Sequence, residues 1–328
     1  MTREDWPIIG NTHALDFFES LLAEDRRMPG SIGGVYLVTG PDKVGRATAV
    51  EYFIKKLLGT DDEHAGQTID MWPDIFRLRR DEDKREIGVD QARDFSSRLA
   101  LSSFANTYRV GIIHDAHLLS QEAANALLKT LEETRDQAIV FLIAHNADQL
   151  PPTVVSRAQH IPFRAVPADE IYNWLISVHS FDRPFAKNIA RLSDGRPGFA
   201  LDLARDKNLL EEHLAPARVL IASFKQRLFE RWKAATILLT GHSGSDAAIT
   251  AELVIDDWRC VVRDILMVAL NQPEYMRYAF LEEEIRQLAR VVALPEARRL
   301  DNRLQEAAVY LRANVSPATV LENILITL

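Results

Sequence analysis

The first half of the chain alternates short apolar runs with longer stretches in which apolar residues recur every three or four positions. Short apolar runs bounded by polar residues or glycine are typical of buried strands, and the longer recurrence is typical of amphipathic helices. The runs predict strands at 35–38, 75–77, 109–113, 139–144 and 160–163. The recurrence predicts helices at 13–23, 48–58, 89–101 and 121–133, with a short helical turn at 152–156. Strands and helices that alternate in this order predict an α/β domain with a parallel sheet.

Beyond residue 167 the strand-like runs end, and only helical patterns follow. Short helices are predicted at 168–178, 183–192 and 198–205, and Gly195 stands where a glycine typically ends a helix. From Asn208 onward the helical patterns are long, with breaks at 241–244, 272–273 and 316–317. The changes of pattern divide the chain into an α/β base at 1–166, a small helical lid at 167–207 and an all-helical domain at 208–328.

The last of these domains is richer in apolar residues than a small bundle requires. Leu253, Val254, Trp258 and Val262 spread over a wide arc of one predicted helix. An apolar face that exceeds the needs of the core indicates a surface that packs against another protein. We therefore predict that the C-terminal domain joins this chain to other subunits.

The composition narrows the classes of protein that fit this pattern. With 328 residues, 47% of them apolar and 26% charged, the chain is long enough for two or three folded domains. The formal net charge of −8 argues against a broad basic face, so we expect the chain alone to bind DNA weakly. The longest apolar runs, 138–144 and 265–270, fall short of the roughly 20 residues of a membrane helix.

The first residues and the cysteine content indicate a compartment. The N-terminal residues carry charge but no apolar leader segment. The single Cys260 cannot form a disulfide within the chain, and its place in a helical apolar pattern favours a small buried side chain. We therefore expect a cytoplasmic protein with no membrane partner.

A loop framed by glycines follows the predicted strand at 35–38. Gly40 and Gly45 have the spacing of a phosphate-binding loop that opens a helix. In a working loop the next two residues are a Lys that reaches the β- and γ-phosphates and a Ser or Thr that binds Mg²⁺. Here those residues are Arg46 and Ala47. Arg is not equivalent to Lys at such a position, and Ala offers no oxygen to a metal, so the pattern predicts a degenerate nucleotide site.

A second nucleotide motif should end an apolar strand with two acidic residues, the first holding Mg²⁺ and the second polarising the attacking water. Asp115 stands at the first position, and Ala116 stands at the second. Asp115 either keeps a role with a metal or caps the turn into the next helix, and the sequence leaves both interpretations open. His114 and His117 lie in a loop and lack acidic or thiol companions, so we predict no metal site.

Four motifs follow one another in a characteristic order: GVDQAR at 88–93, the strand that ends at Asp115, AANALLKTLEE at 123–133, and Ser156-Arg157. In this order and spacing they closely resemble the AAA+ clamp-loader family of bacterial DNA polymerase III. The resemblance covers about residues 5–205 and continues weakly to the end of the chain. It implies a P-loop-type base with a parallel sheet, a small helical lid and an all-helical C-terminal collar.

The resemblance also implies a role for Arg157. Ser156-Arg157 match the family motif whose Arg reaches the ATP bound to a neighbouring subunit, which would make Arg157 a catalytic arginine finger in trans. A surface arginine in an ion pair is the alternative interpretation. Two departures from the family are clear. Gly198 stands where ATP-hydrolysing relatives have a sensor Arg, and the stretch 59–72 lacks the four Cys with which many relatives bind zinc.

The losses at Arg46, Ala47, Ala116 and Gly198 together predict a subunit that does not hydrolyse ATP and needs no cofactor of its own. The implied partners are gamma/tau-like motor subunits and a delta-like subunit in one ring, with the sliding clamp and primed DNA reached through the complex. The first alternative is an ATP-hydrolysing motor subunit of the gamma/tau type. The second is a helical DNA-binding protein unrelated to clamp loading, against which the mixed charges of 208–328 argue.

Overall fold

A computed structural model describes residues 6–59, 72–81, 83–100, 108–133 and 138–328, apart from the side chain of Ser245. The chain divides into two compact units. The first is Met1–Trp174 with Gly195–Phe199, and the second is Leu175–Asp194 with Ala200–Leu328. The division into three domains, with boundaries after residues 166 and 207, stays a prediction.

The first unit contains a five-stranded parallel sheet. Its strands are β1 (Gly34–Thr39), β2 (Ile75–Leu78), β3 (Arg109–Ile113), β4 (Ala138–Ala144) and β5 (Ala158–Pro162). The strand order is β2-β3-β4-β1-β5, and every neighbouring pair is parallel. Thr39 at the end of β1 pairs with Ala144 at the end of β4, and Ile113 at the end of β3 pairs with Leu142. The loops that leave β1, β3 and β4 therefore meet at one edge of the sheet, where α/β proteins place their ligands.

Helices cover both faces of this sheet. They are α1 (Thr12–Arg27), α2 (Arg46–Leu57), α3 (Val89–Leu99), α4 (Gln121–Glu133) and the short α5 (Pro152–Val155). Because side chains alternate along a strand, Val38 of β1 lies in an apolar layer with Phe53 of α2, and Leu37 lies in the opposite layer with Phe95 and Leu127 of α3 and α4. All seven residues of β4 are buried, which explains its uninterrupted apolar run. The predicted α/β fold is confirmed.

Several predicted boundaries were wrong by a few residues. Helix α1 continues to Arg27 rather than ending at 23, because its last turn is polar and gives no apolar signal. Helix α2 begins at Arg46, two residues before the predicted start. Strand β5 is shifted from 160–163 because Ala158 already pairs with Val35 of β1. The predicted end of the third helix at Leu101 lies outside the described residues.

The second unit is helical. Helices α6 (Ala168–Ser177) and α8 (Pro197–Arg205) contain residues of both units. The others are α7 (Arg183–Leu192), α9 (Lys207–Ser223), α10 (Leu228–Leu238), α11 (Gly244–Ala269), α12 (Glu282–Ala289), α13 (Leu294–Arg312) and α14 (Pro317–Ile326). Helix α11 packs against α9, α12, α13 and α14. At its centre Trp258 is fully buried, and its Nε1 donates a hydrogen bond to the carbonyl of Pro216, 2.8 Å away.

A buried carboxylate also stabilises the second unit. Asp264 on α11 has no exposed surface and accepts hydrogen bonds from the backbone N–H groups of Arg277 (3.0 Å) and Tyr278 (2.8 Å). Burial raises the pKa of Asp264, and the two N–H donors oppose that rise. The residue fastens the segment before α12 to the central helix.

Candidate functional site

The loop after β1 keeps the backbone of a phosphate-binding loop. Gly40 has a φ of 144°, and a Cβ at this position would lie 2.3 Å from the carbonyl oxygen of Phe163. Gly45 has a φ of 101°, and a Cβ there would lie 2.9 Å from Cγ2 of Ile8. Both positions therefore require glycine. The predicted strand, loop and helix are all present, since α2 begins directly after Gly45.

Arg46, the first residue of α2, turns its guanidinium into the protein. Only 6% of its surface is exposed. Nη1 donates a hydrogen bond to the carbonyl of Ala144 at the end of β4, and Nη2 donates to Oδ1 of Asp42 at 2.5 Å. Burial lowers the pKa of Arg46, while the carboxylates of Asp42 and Asp115 act in the opposite direction. The cation is thus neutralised within the loop and is not directed outward toward a phosphate.

The residues around Arg46 do not fit a nucleotide with its magnesium ion. Ala47 carries no hydroxyl to bind the metal, and Ala116 is fully buried and carries no carboxylate. The backbone N–H of Gly198 donates to the carbonyl of Lys43 at 2.9 Å, and a Cβ on Gly198 would lie 3.0 Å from that oxygen. Residue 198 thus packs directly against the loop and has no side chain that could act as the sensor Arg of ATP-hydrolysing relatives.

Asp115 lies at the same edge of the sheet, in the left-handed conformation with a φ of 48°. It is not alone there: His117 in the following 3₁₀ turn and His145 after β4 place potential metal ligands within 4.8 Å of one another and of Asp115. The two imidazole rings are 4.4 Å apart between centroids. Nε2 of His145 also lies 2.9 Å from Oδ1 of Asp42. Sequence reasoning missed Asp42 and His145, because their proximity depends on β4 lying between β3 and β1.

His114 does not join this cluster. Its Nε2 lies 3.2 Å from Nη1 of Arg77 and 3.5 Å from Nη2 of Arg79. Burial and these two cations lower the pKa of His114 to about 4. His114 and His117, from which no metal site was predicted, thus have different surroundings, and burial together with the nearby His145 lowers the pKa of His117.

Arg157 lies apart from the other predicted site residues. It follows α5 and directly precedes β5, and Ala158 pairs with Val35 near the start of β1. In a parallel sheet this places Arg157 at the amino edge, opposite the edge that carries Gly40 to Ala47. The five residues of β5 set the separation at roughly 15 Å or more. Within the first unit, Arg157 therefore does not reach the loop of its own chain.

Glu132, in the last turn of α4, holds the guanidinium of Arg157. Nε of Arg157 donates to Oε1 of Glu132 at 2.8 Å, and Nη2 donates to the same oxygen. Nη1 donates to the carbonyl of Thr153 at 2.8 Å. The side chain of Arg157 is 34% exposed, so the ion pair lies at the protein surface. In this chain by itself Arg157 forms a surface ion pair, and its role as an arginine finger in trans stays a prediction.

The parallel sheet, the glycine-framed loop after its first strand and the helical second half define the class of the protein as a P-loop-type AAA+ fold. A DNA polymerase III gamma subunit-related protein from Thermotoga maritima has a similar solved structure, with a TM-score of 0.52 and 18% identity over 94% of this chain and 97% of that chain. This likeness concerns the fold alone. Among the described residues, no helix combines the length and the apolar character that crossing a bilayer requires.

Residues 11–167 match the family model described as DNA polymerase III, delta subunit. The DNA polymerase III subunit delta' of Haemophilus influenzae is 35% identical over 37% of this chain and 37% of its own length, and that of Escherichia coli is 32% identical over 42% and 41%. Subunit tau of Bacillus subtilis is 28% identical over 50% of this chain and 30% of its own length. The matched part thus spans less than half of each relative. Residues 11–167 thus match this family, these delta' subunits among them, and the resemblance to the clamp-loader family of DNA polymerase III is confirmed.

Proposed function

We propose that this chain is a clamp-loader subunit of the delta-prime type, which does not hydrolyse ATP and supplies Arg157 to the ATP site of a neighbouring subunit. The observation that carries this function is the position of Arg157 at the edge of the sheet opposite the chain's own loop. The guanidinium there is about one-third exposed and has no nucleotide to act on within the first unit. It is suitably placed for a nucleotide bound to another chain.

The contacts of Arg46 support the proposed absence of ATP hydrolysis. Its guanidinium is bound to Ala144 and Asp42, and a phosphate would have to compete with both. Asp42 itself adds a negative charge to the loop, which repels phosphate. Relatives of the gamma/tau type also match the sequence, and an ATP-hydrolysing motor subunit would require Arg46 to leave both partners. The buried position of Arg46 favours the delta-prime type.

The partners follow from this function. We infer that this chain assembles with gamma/tau-type motor subunits and a delta-type subunit. The sliding clamp and primed DNA would be contacted through the assembled complex. The net charge of −8 supports indirect rather than independent binding to DNA. Such a role in replication places the chain in the cytoplasm, and no cofactor beyond the neighbour's ATP is required.

Helix α10 offers a surface for assembly. Its large apolar residues are exposed: Leu228 (59%), Phe229 (71%), Trp232 (45%) and Ile237 (60%). Only Ala235 of this helix is buried. The apolar arc predicted on α11 serves a different purpose, because Val254, Trp258 and Val262 belong to the unit's own core, although Leu253 is 61% exposed. Exposed apolar surface of this kind favours packing against partner subunits.

The test is a clamp loader reconstituted from the subunits of one organism, with this chain as wild type, Arg157→Ala or Arg98→Ala. Arg98 is the matched control, since it lies on α3 of the same unit with a side chain that is 60% exposed and pairs with Asp94. Size-exclusion chromatography should show complete complexes for all three. An arginine finger contributes roughly 10³- to 10⁵-fold to the rate at the site it serves. We therefore expect Arg157→Ala to abolish one site's share of the ATP hydrolysis stimulated by clamp and primed DNA.

Two results would contradict this function. Equal ATP hydrolysis by correctly assembled wild-type and Arg157→Ala complexes would leave Arg157 as a structural ion pair. Hydrolysis by the isolated chain that disappears in Arg46→Ala would identify the motor-subunit alternative.

A further inference from the structure

We infer that Asp115, His117 and His145 bind one divalent transition-metal ion beside the loop at 40–47, with Zn²⁺ the ion that fits best. The site is separate from the arginine finger at the opposite edge of the sheet. It does not depend on the function proposed above.

The geometry of the three side chains suits a small ion. Their potential ligand atoms, two imidazole nitrogens and one carboxylate oxygen, all lie within 4.8 Å of one another. Zinc binds such atoms at about 2.0–2.2 Å with tetrahedral geometry, which separates the ligands by roughly 3.3 Å. Asp115 and His145 are exposed, so small side-chain rotations close the remaining distance. Three protein ligands leave the fourth position to water.

Two further observations point to a ligand at this place. Nδ1 of His117 is buried and has no hydrogen-bond partner among the described residues. A buried polar atom without a partner is costly, and a metal ion would satisfy it. On the other ring, Nε2 of His145 faces Oδ1 of Asp42 at 2.9 Å. Histidines that bind a metal typically donate their second ring N–H to a carboxylate, which fixes the ring and leaves the other nitrogen, here Nδ1, for the ion.

The local charges permit a divalent cation. The guanidinium of Arg46 is the nearby positive group, and it is paired with Asp42. Asp115 contributes a second carboxylate, so one cation faces two anions before the ion binds. The imidazoles distinguish the candidate ions, because Mg²⁺ prefers oxygen ligands, whereas Zn²⁺ and its neighbours among the transition metals readily accept imidazole nitrogen.

The ion would connect segments that a nucleotide connects in a working P-loop protein. Asp115 and His117 follow β3, His145 follows β4, and Asp42 belongs to the loop after β1. The loops after β1 and β4 are already joined at this edge by the Arg46 contacts, by the His145–Asp42 pair and by a hydrogen bond from the N–H of Gly40 to the carbonyl of His145. A metal ion adds side-chain ligands from the segment after β3 to this connection, so its binding should stabilise the first unit.

The experiment uses the full-length chain without a histidine tag, freed of metal by a chelator and then dialysed. Zn²⁺ is titrated by isothermal calorimetry, and Co²⁺ is added separately to record its ligand-field absorption. We expect one ion per chain, a tetrahedral Co²⁺ spectrum and a higher thermal midpoint with Zn²⁺. His117→Ala and His145→Ala should each weaken Zn²⁺ binding by more than the roughly 10- to 100-fold that loss of a second-shell partner costs.

His114→Ala is the matched control, because His114 lies in the same loop but contacts Arg77 and Arg79 instead. It should bind Zn²⁺ like the wild type. His145 is exposed, so its replacement tests the site even where His117→Ala impairs folding, which circular dichroism detects. Wild-type protein that binds no Zn²⁺, or His145→Ala protein that binds it as tightly as the wild type, would overturn the assignment.

Discussion

Replacement of Arg46 by Ala tests whether this residue is a structural anchor or a phosphate ligand. The substitution removes a charged hydrogen bond to the buried carbonyl of Ala144, and such bonds contribute about 1.5–3 kcal/mol. The pair with Asp42 adds only about 0–1 kcal/mol, because the Asp42 side chain is 55% exposed. The lost methylene groups contribute about 0.8 kcal/mol each. Part of the total is offset because the variant no longer has a charged group to bury. We expect a net loss of about 2–4 kcal/mol.

The measurement is thermal unfolding of the purified chain, followed by circular dichroism and repeated in urea. For a unit of this size, a loss of 1 kcal/mol lowers the midpoint by about 2–4 °C, so Arg46→Ala should unfold roughly 5–15 °C earlier. Arg46→Met, which keeps the apolar stem, should recover part of the loss. Arg93→Ala is the surface control, since its side chain is 69% exposed, and it should change stability by less than about 0.5 kcal/mol.

ATP added to the same samples provides the decisive comparison. A ligand that binds only the folded state raises the unfolding midpoint. We expect no rise for the wild type, because Arg46 is already bound to the protein. Arg46→Lys combined with Ala47→Thr restores the residues of a working loop and should permit weak ATP binding, but no turnover while Ala116 remains. A wild type that ATP stabilises, together with an Arg46→Ala variant as stable as the wild type, would refute the anchor.

Three further outcomes are expected. Arg157→Ala should lower the stability of the isolated chain by no more than about 1 kcal/mol, because the Arg157 and Glu132 side chains are 34% and 52% exposed. A larger loss, measured by urea unfolding, would mean that Arg157 is mainly structural. A chain truncated after Asp206 should fail to assemble with motor subunits, whereas full affinity in a pull-down would disprove the C-terminal assembly surface. Asp264→Ala should cost about 2–5 kcal/mol, since it leaves the buried N–H groups of Arg277 and Tyr278 without acceptors; a change below 1 kcal/mol in thermal unfolding would contradict this.

The strands and the loop could be predicted because each has a local cause. Strand β4 is buried on both faces and therefore reads as an uninterrupted apolar run, and Gly40 and Gly45 mark backbone conformations that only glycine adopts without strain. The positions of Arg46 and Ala47 in the degenerate loop likewise follow from their spacing to those glycines.

The remaining features depend on contacts between distant parts of the chain. The bond of Arg46 to the carbonyl of Ala144 and the cluster of His117 with His145 exist only because β4 lies between β3 and β1. The ion pair of Arg157 with Glu132 likewise joins separate elements. The periodicity of α11 predicted its apolar residues correctly but could not distinguish the unit's own core from a surface for a partner.

The placement of Arg157 and the loop at opposite edges gives the first unit a direction. If Arg157 acts on a neighbour, each contact between subunits is heterologous, with a donating edge on one chain and a receiving edge on the next. Under the proposed function this chain donates an arginine, but at its own loop Ala47 and Ala116 stand where a working ATP site has a hydroxyl and a carboxylate. If two copies of this chain were neighbours in a ring, the contact between them would therefore contain no working ATP site. We therefore expect one copy of this chain per complex, next to the last of the subunits that hydrolyse ATP.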